Sequence, residues 1–270
     1  MSIHTRTLTK NTLSETDAVI LCGGMGSRLR SVVNDRPKPM AEINDRPFLD
    51  ILIDSFAEFG LRRFVLCAGY MSDIIRDYYS SSTGSRQFVI SDEHKPLGTA
   101  GAIRNAAEHI RSDTFLVANG DSFCSVDLGA FYDFHSARNA FMSMVVTETQ
   151  NTGDCGLVSL DDLQRIVGFE EKNQQSRSRY INAGIYLLQK GALSLIPGNT
   201  SFSLERDLFP SLINRDSYAF VTGGRLFDIG TPARFASAIK HLARDRLQLS
   251  CRHHPSVGPT CRKSFRINDR

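Results

Sequence analysis

The run Ala18-Val19-Ile20-Leu21-Cys22 is apolar throughout and stops at two glycines, Gly23 and Gly24. A strand with no polar alternation is buried on both faces, as a central strand of a parallel sheet between helices must be. The elements that follow agree with that placement. Pro47 opens a helical stretch with apolar residues at Phe48, Ile51, Leu52, Phe56 and Phe59, and Gly60 stops it. Further strands are predicted at 63–67, 88–90 and 114–118, with helical stretches at roughly 71–79 and 100–111 between them. This alternation predicts an α/β fold, a parallel sheet with helices on both faces and ligands at the carboxyl ends of its strands. After Phe141 the pattern turns strand-rich, at 141–147, 156–160, 165–169 and 181–188, and reads as a mixed extension of the same sheet. Helical stretches at about 203–214 and 231–247 complete a single domain over 17–247. A mobile segment is expected at 1–16 and a basic, disordered tail at 248–270.

The 270 residues suffice for a substantial core, and 41% hydrophobic with 23% charged residues is ordinary globular composition, not collagenous or wholly disordered. No apolar run approaches the length that spans a bilayer, and the polar first residues lack the apolar stretch of a secretory signal. The expectation is a cytoplasmic protein with no membrane partner. Its six cysteines, Cys22, Cys67, Cys124, Cys155, Cys251 and Cys261, show no CxxC spacing and read as free thiols. The net charge of +3 is unevenly placed: from His241 onward seven Lys or Arg face two Asp, a balance of +5 that leaves −2 for the first 240 residues. A folded body without excess positive charge argues against a nucleic-acid partner.

The glycine-rich segment continues as Met25-Gly26-Ser27-Arg28-Leu29-Arg30, followed by Arg36-Pro37-Lys38-Pro39-Met40. The spacing fits neither GxxxxGK[ST] nor GxGxxG, because Leu29 stands where the last glycine of the second pattern would fall. What remains is a turn whose amides can approach phosphate closely, with Arg28 and Lys38 as nearby cations. Prolines on both sides of Lys38 restrict its backbone and reduce the entropy lost on binding.

The segment L-C-G-G-M-G-S-R-L followed by R-P-K-P-M resembles the signature of the sugar-1-phosphate nucleotidyltransferases. The resemblance continues in order through Glu93-His94-Lys95-Pro96-Leu97-Gly98-Thr99-Ala100-Gly101, Asn119-Gly120-Asp121, Glu171-Lys172, Asn182-Ala183-Gly184-Ile185-Tyr186 and Phe227-Asp228-Ile229-Gly230-Thr231-Pro232. It spans about residues 17–240 and implies a Rossmann-like, GT-A-like domain. The implied reaction is attack of a sugar 1-phosphate on the α-phosphorus of a nucleoside triphosphate, releasing pyrophosphate. Phosphate is ionised at neutral pH, so positioning and charge neutralisation carry the catalysis.

By this resemblance Arg28, Lys38, Asp121, Lys172 and Asp228 are the catalytic set. Arg28 meets the β- and γ-phosphates, Lys38 the α-phosphate side and Lys172 the sugar phosphate, while Asp121 and Asp228 hold Mg²⁺. Leu21, Gly23, Gly24, Gly26, Ser27, Arg28, Glu93, Gly98, Thr99 and Asp121 are expected around the nucleotide. Lys38, Gly156, Glu171, Lys172, Asn182, Gly184 and Glu205 are expected around the sugar phosphate. Glu93 favours GTP, because a carboxylate can accept from both N1–H and the exocyclic amine of guanine but offers no donor to uracil. Within the family the chain resembles the D-glycero-α-D-manno-heptose 1-phosphate guanylyltransferases, which implies a GDP-heptose product for surface glycans. Cys22, Ser27 and Asn173 depart from the commoner Ala, Thr and Pro of the family pattern.

Other readings stay open at this level: a mannose-1-phosphate guanylyltransferase, a uridylyl- or cytidylyltransferase, and a homo-oligomer of any of these. No hexapeptide repeat appears, which weighs against the mannose reading. A glycosyltransferase would normally carry a DxD motif, whereas Asp121-Ser122-Phe123 supplies one Asp. A silent nucleotide-sugar-binding regulatory subunit would have no need of all five catalytic residues. Cys251, His253, His254 and Cys261 match no standard zinc spacing, and the Tyr78-Tyr79 and Phe131-Tyr132 pairs read as packing.

Overall fold

The computed structural model describes residues 13–82, 84–149, 156–171, 178–213 and 215–252. Its centre is β1 (Asp17–Leu21), which pairs in parallel with β2 (Arg63–Ala68) on one side and β4 (Thr114–Asn119) on the other. β3 (Gln87–Asp92) extends the sheet beyond β2, also in parallel. Beyond β4 lie β9 (Tyr180–Gln189), antiparallel to its neighbours, then β6 (Met142–Glu148) and β10 (Ser217–Thr222), which are parallel to each other. The hairpin of β7 (Gly156–Leu160) and β8 (Ile166–Glu171) joins the far half of β9 and completes nine strands. A separate two-stranded ribbon pairs β5 (Ser122–Cys124) with β11 (Leu226–Asp228).

The apolar run of β1 is explained by what covers it. Ala18 and Ile20 pack with α1 (Phe48–Glu58), α2 (Ser72–Ser80) and α4 (Leu128–Ala137) on one face. Val19 packs on the other face with α3 (Gly98–Asn105), a π-helical turn (Leu204–Leu208) and α5 (Phe209–Leu212). The expected single mixed sheet with helices on both faces is therefore present. Cys22, Cys67 and Cys124 are buried free thiols; Cys155, His253, His254 and Cys261 lie outside the described residues.

Four local differences from the sequence reading stand out. The helix expected at 203–214 is only the π turn and the four-residue α5, since Pro210 lacks the N–H that a longer regular helix would use. The helix expected at 100–111 spans Gly98–Asn105 and passes into a 3-10 turn at Ala107–His109. β10 has no counterpart in the sequence reading, although Tyr-Ala-Phe-Val-Thr is strand-like composition. Finally, α6 runs Pro232–Arg252, so its last residues overlap the segment expected as tail.

A third apolar cluster fixes the region after β1. Leu29, Ala41, Ile43 and Phe48 pack with Phe227, Ile229 and the α6 residues Phe235, Ala238 and Leu242. Leu29 and Ile229 are essentially fully buried, each contributing roughly 1.5–3 kcal/mol. Their chain neighbours Arg28 and Asp228 are positioned by that packing.

His135 of α4 is buried against β6, its Nδ1 2.9 Å from Ser143 Oγ. Burial lowers its pKa from an ordinary 6.5 to about 4. The unfolded chain therefore binds the extra proton between those values, and the folded form loses stability as pH falls from 6.5 towards 4, by up to about 3 kcal/mol. Thermal melts of wild type and His135→Gln should diverge across this window, with only the wild type showing this component. Parallel profiles would remove His135 as its source.

Candidate active site

The order of strands leaving β1 reverses between β2 and β4, so a crevice opens at their carboxyl ends, where doubly wound sheets bind ligands. The loop after β1 enters it first. A Cβ on Gly23 would stand 2.5 Å from Glu93 Oε1, and one on Gly69 would stand 3.0 Å from the Gly23 carbonyl. The backbone after β1, the β2–α2 loop and the Glu93 carboxylate are thus packed as closely as glycine permits. Gly24 faces open space, which leaves its peptide accessible to a ligand. Gly26 is left-handed at φ 57°, and a Cβ there would lie 3.0 Å from Lys38 Cβ. Ser27 opens the 3-10 turn Ser27–Leu29 that carries Arg28; a second 3-10 turn, Lys38–Met40, carries Lys38.

β4 delivers Asp121 to the same crevice. Gly120 crosses the end of β1, donating to the Leu21 carbonyl at 3.0 Å, and a Cβ on it would meet that oxygen at 2.7 Å. Asp121 Oδ2 then lies 2.5 Å from Lys38 Nζ. Across the ribbon, Asp228 is in register with Ser122, and the Ile229 amide donates to the Asp121 carbonyl at 3.0 Å. Asp228 Oδ1 accepts from the Gly230 amide at 2.7 Å, and Oδ2 lies 3.0 Å from Arg234 Nη1. A Cβ on Gly230 would fall 2.8 Å from Asp228 Oδ1, 3.5 Å from Lys38 Nζ and 3.7 Å from Arg28 Nη2. Arg28, Lys38 and Asp228 therefore converge on Gly230, with Asp121 joined through Lys38.

Beside the glycine loop, Glu93 follows β3 and accepts from the Leu97 amide through Oε2 at 3.0 Å. Burial raises its pKa and the Leu97 bond opposes that rise. Gly98, at φ 72°, starts α3 against the Phe202 backbone. Thr99 Oγ1 donates to Glu205 Oε2 at 3.0 Å and accepts from the Leu204 amide at 2.7 Å. Two residues expected on different substrates, Thr99 and Glu205, are hydrogen-bonded to each other, and Ser203 Oγ also donates to Glu205.

On the β9 side, Gly184 at φ 75° lies over the β4–β5 turn; a Cβ there would be 2.8 Å from Asn119 Nδ2 and 2.9 Å from Ser122 Oγ. Asn182 Oδ1 accepts from the Gly184 amide at 2.9 Å while its Nδ2 donates to Tyr186 Oη at 2.7 Å. Burial, with the Glu205 and Asp121 charges, pushes the Tyr186 hydroxyl up, so it stays protonated. A Cβ on Gly156 would be 3.7 Å from Asn182 Cβ, and Gly156 is in register with Glu171. The side chain of Glu171 and all of Lys172 and Asn173 lie outside the described residues. Gly69, Ser203 and Arg234 were not singled out from sequence, and Tyr186 and Gly230 stood only within motifs, without a role. Arg234 had one available signal, a cation in the first turn of a helix, where the macrodipole disfavours it.

Cations and carboxylates gathered at the switch point of a Rossmann-like sheet define a protein built to handle strongly anionic, phosphate-bearing ligands. The nucleotidyl transferase family model matches residues 17–245, and the chain belongs to that family. It is 32% identical over 227 residues to a D-glycero-alpha-D-manno-heptose 1-phosphate guanylyltransferase of Aneurinibacillus thermoaerophilus, covering 84% of this chain and 98% of that one. It is 33% identical over 235 residues to a mannose-1-phosphate guanylyltransferase of Mycobacterium tuberculosis, covering 85% of this chain but only 65% of the relative. The crystal structure of HddC from Yersinia pseudotuberculosis superposes with a TM-score of 0.74 at 33% identity, over 84% of this chain and 99% of that one. HddC has also been solved in complex with GMP-PN.

Proposed function

We propose that the protein transfers GMP from GTP to a sugar 1-phosphate, with D-glycero-α-D-manno-heptose 1-phosphate as the sugar, releasing pyrophosphate and forming GDP-heptose for surface glycans. The observation that carries this reading is the convergence of Arg28, Lys38 and Asp228 on Gly230, with Asp121 held by Lys38. Two anionic substrates can react in line only where their charge is neutralised and their oxygens are held, and no general base is needed. Arg28 suits the β- and γ-phosphates as a fork-shaped donor, and Lys38 the α-phosphate as a point charge. Lys172 would hold the sugar phosphate.

Two carboxylates form a donor set that fits Mg²⁺, which takes oxygen ligands and fills its remaining positions with phosphate and water. Asp121 and Asp228 would hold it, and when bound it polarises the α-phosphate. The guanine reading rests on Glu93. With Oε2 spent once on Leu97, its carboxylate still has lone pairs for N1–H and the exocyclic amine. Asn182, Gly184, Gly156 and Glu205 supply the sugar side.

Glu93→Gln replaces one acceptor by a donor. It should lower kcat/KM for GTP by about 10–100-fold and flatten the preference over UTP. An unchanged nucleotide profile would mean that Glu93 does not read the base. The reading as a whole is tested by pyrophosphate release with Mg²⁺, crossing GTP, CTP, UTP, ATP and dTTP with heptose, mannose and glucose 1-phosphates. Activity confined to GTP and heptose 1-phosphate is expected. Turnover with mannose 1-phosphate instead would make the second named relative the better guide, and silence throughout would favour a regulatory subunit.

A further inference from the structure

Both carboxylates of the site are already paired with cations of the chain. Asp121 Oδ2 has Lys38 Nζ at 2.5 Å, and Asp228 Oδ2 has Arg234 Nη1 at 3.0 Å. Lys38 belongs to the expected phosphate-binding set, but Arg234 has no role in the reaction as described. It stands in the first turn of α6, where Thr231 Oγ1 caps its amide at 3.3 Å. A cation there works against the helix dipole, so helix stability does not account for it. Its guanidinium lies instead on Asp228, with the two side chains about one-third exposed. Among the described residues no group of three or more His, Cys, Asp or Glu could hold a metal ion. A bare divalent cation reaching these two carboxylates would have to compete with two internal cations.

We propose that Arg234 and Lys38 are internal counter-cations that occupy Asp228 and Asp121 until the triphosphate arrives, so that the divalent cation is admitted with the nucleotide. This rests on the reading of Asp121 and Asp228 as its ligands. A triphosphate offers both cations a stronger anionic partner, and Arg234 can grip phosphate through two N–H groups. The carboxylates are then released to the cation at the moment the phosphates that complete its coordination are present. Arg234 thus becomes a positioning residue for Asp228 in the free protein and a phosphate contact in the complex.

The test is Mn²⁺ binding to the full chain, followed by the electron paramagnetic resonance of free Mn²⁺, with and without a GTP analogue blocked between the α- and β-phosphates. Without nucleotide, Arg234→Gln should bind Mn²⁺ about three- to fivefold more tightly than wild type, the effect of releasing a partly exposed ion pair. Arg234→Lys, which keeps the charge, should stay near wild type. If Arg234→Gln does not fold, Lys38→Gln makes the same measurement at Asp121. Equal Mn²⁺ affinity in wild type and the neutral variants overturns the proposal. Asp228→Asn separates the two levels. If it abolishes nucleotide-supported Mn²⁺ binding while Arg234→Gln changes nothing, only the counter-cation proposal falls. If it leaves that binding intact, the carboxylate reading falls and takes the proposal with it.

Discussion

Asp121→Ala is expected to lower kcat by at least about 10³-fold while nucleotide affinity changes by less than about tenfold. The asymmetry follows from what the residue touches. Its carboxylate faces the crevice, and its backbone ties the ribbon to β1 through Gly120 and Ile229. Those backbone bonds survive the substitution, so the glycine loop and Glu93 stay in place and the nucleotide still finds them. What is lost is the oxygen ligand proposed for the divalent cation and the partner that holds Lys38. Asp121→Asn keeps the shape and should be nearly as inactive, since an amide is a weak ligand for a hard cation. Single-turnover rates set beside binding isotherms for both variants would check this. Wild-type turnover in either would remove Asp121 from the metal role.

The second large effect lies at the opposite end of the sheet. Asp17, the first residue of β1, is 1% exposed. Its Oδ1 pairs with Arg63, its cross-strand neighbour on β2, and its Oδ2 accepts from the Arg111 and Ser112 amides at 2.5 and 2.9 Å. The Asp17 amide donates to Ser112 Oγ at 3.0 Å, so one residue joins β1, β2 and the approach to β4. Asp17→Ala leaves the largely buried Arg63 guanidinium with the His109 carbonyl, at 2.6 Å, but without its counter-charge, and takes the acceptor from two amides. The expected cost is about 3–5 kcal/mol, or a fall in Tm of roughly 10 °C for a domain of this size. Because the substitution sits at the amino end of the sheet, protein that remains folded at low temperature should keep near-normal KM values. Denaturant melts and cold assays together check the claim, and an unchanged midpoint would show that Asp17 is not a clasp of the sheet.

Several elements were legible because their cause is local. Pro47 and Gly60 bracket α1, and an unbroken apolar run marks β1, since neither depends on distant residues. The glycine loop was legible for the same reason: glycines and flanking cations stand within one stretch of chain. The β5–β11 ribbon was not, because three-residue strands carry almost no periodic signal and their pairing joins residues about a hundred positions apart. The antiparallel entry of β9 between β4 and β6 was equally hidden. A strand buried on both faces reads the same in either direction.

The site divides along the same line. The order of the motifs, through the family they resemble, was enough to name Arg28, Lys38, Glu93, Asp121 and Asp228 as candidates. Which of them meet is a property of the fold. The Lys38–Asp121 contact spans 83 positions and the Thr99–Glu205 bond 106, and Arg234 enters the site only because Asp228 lies beside the first turn of α6. Sequence by itself determined a mostly parallel α/β sheet and a glycine-rich turn with flanking cations at the end of its central strand. Only the tertiary structure decided that both carboxylates carry their own cations and that Thr99 is bound to Glu205. Such contacts depend on strand order and packing between distant segments, and no local pattern encodes them.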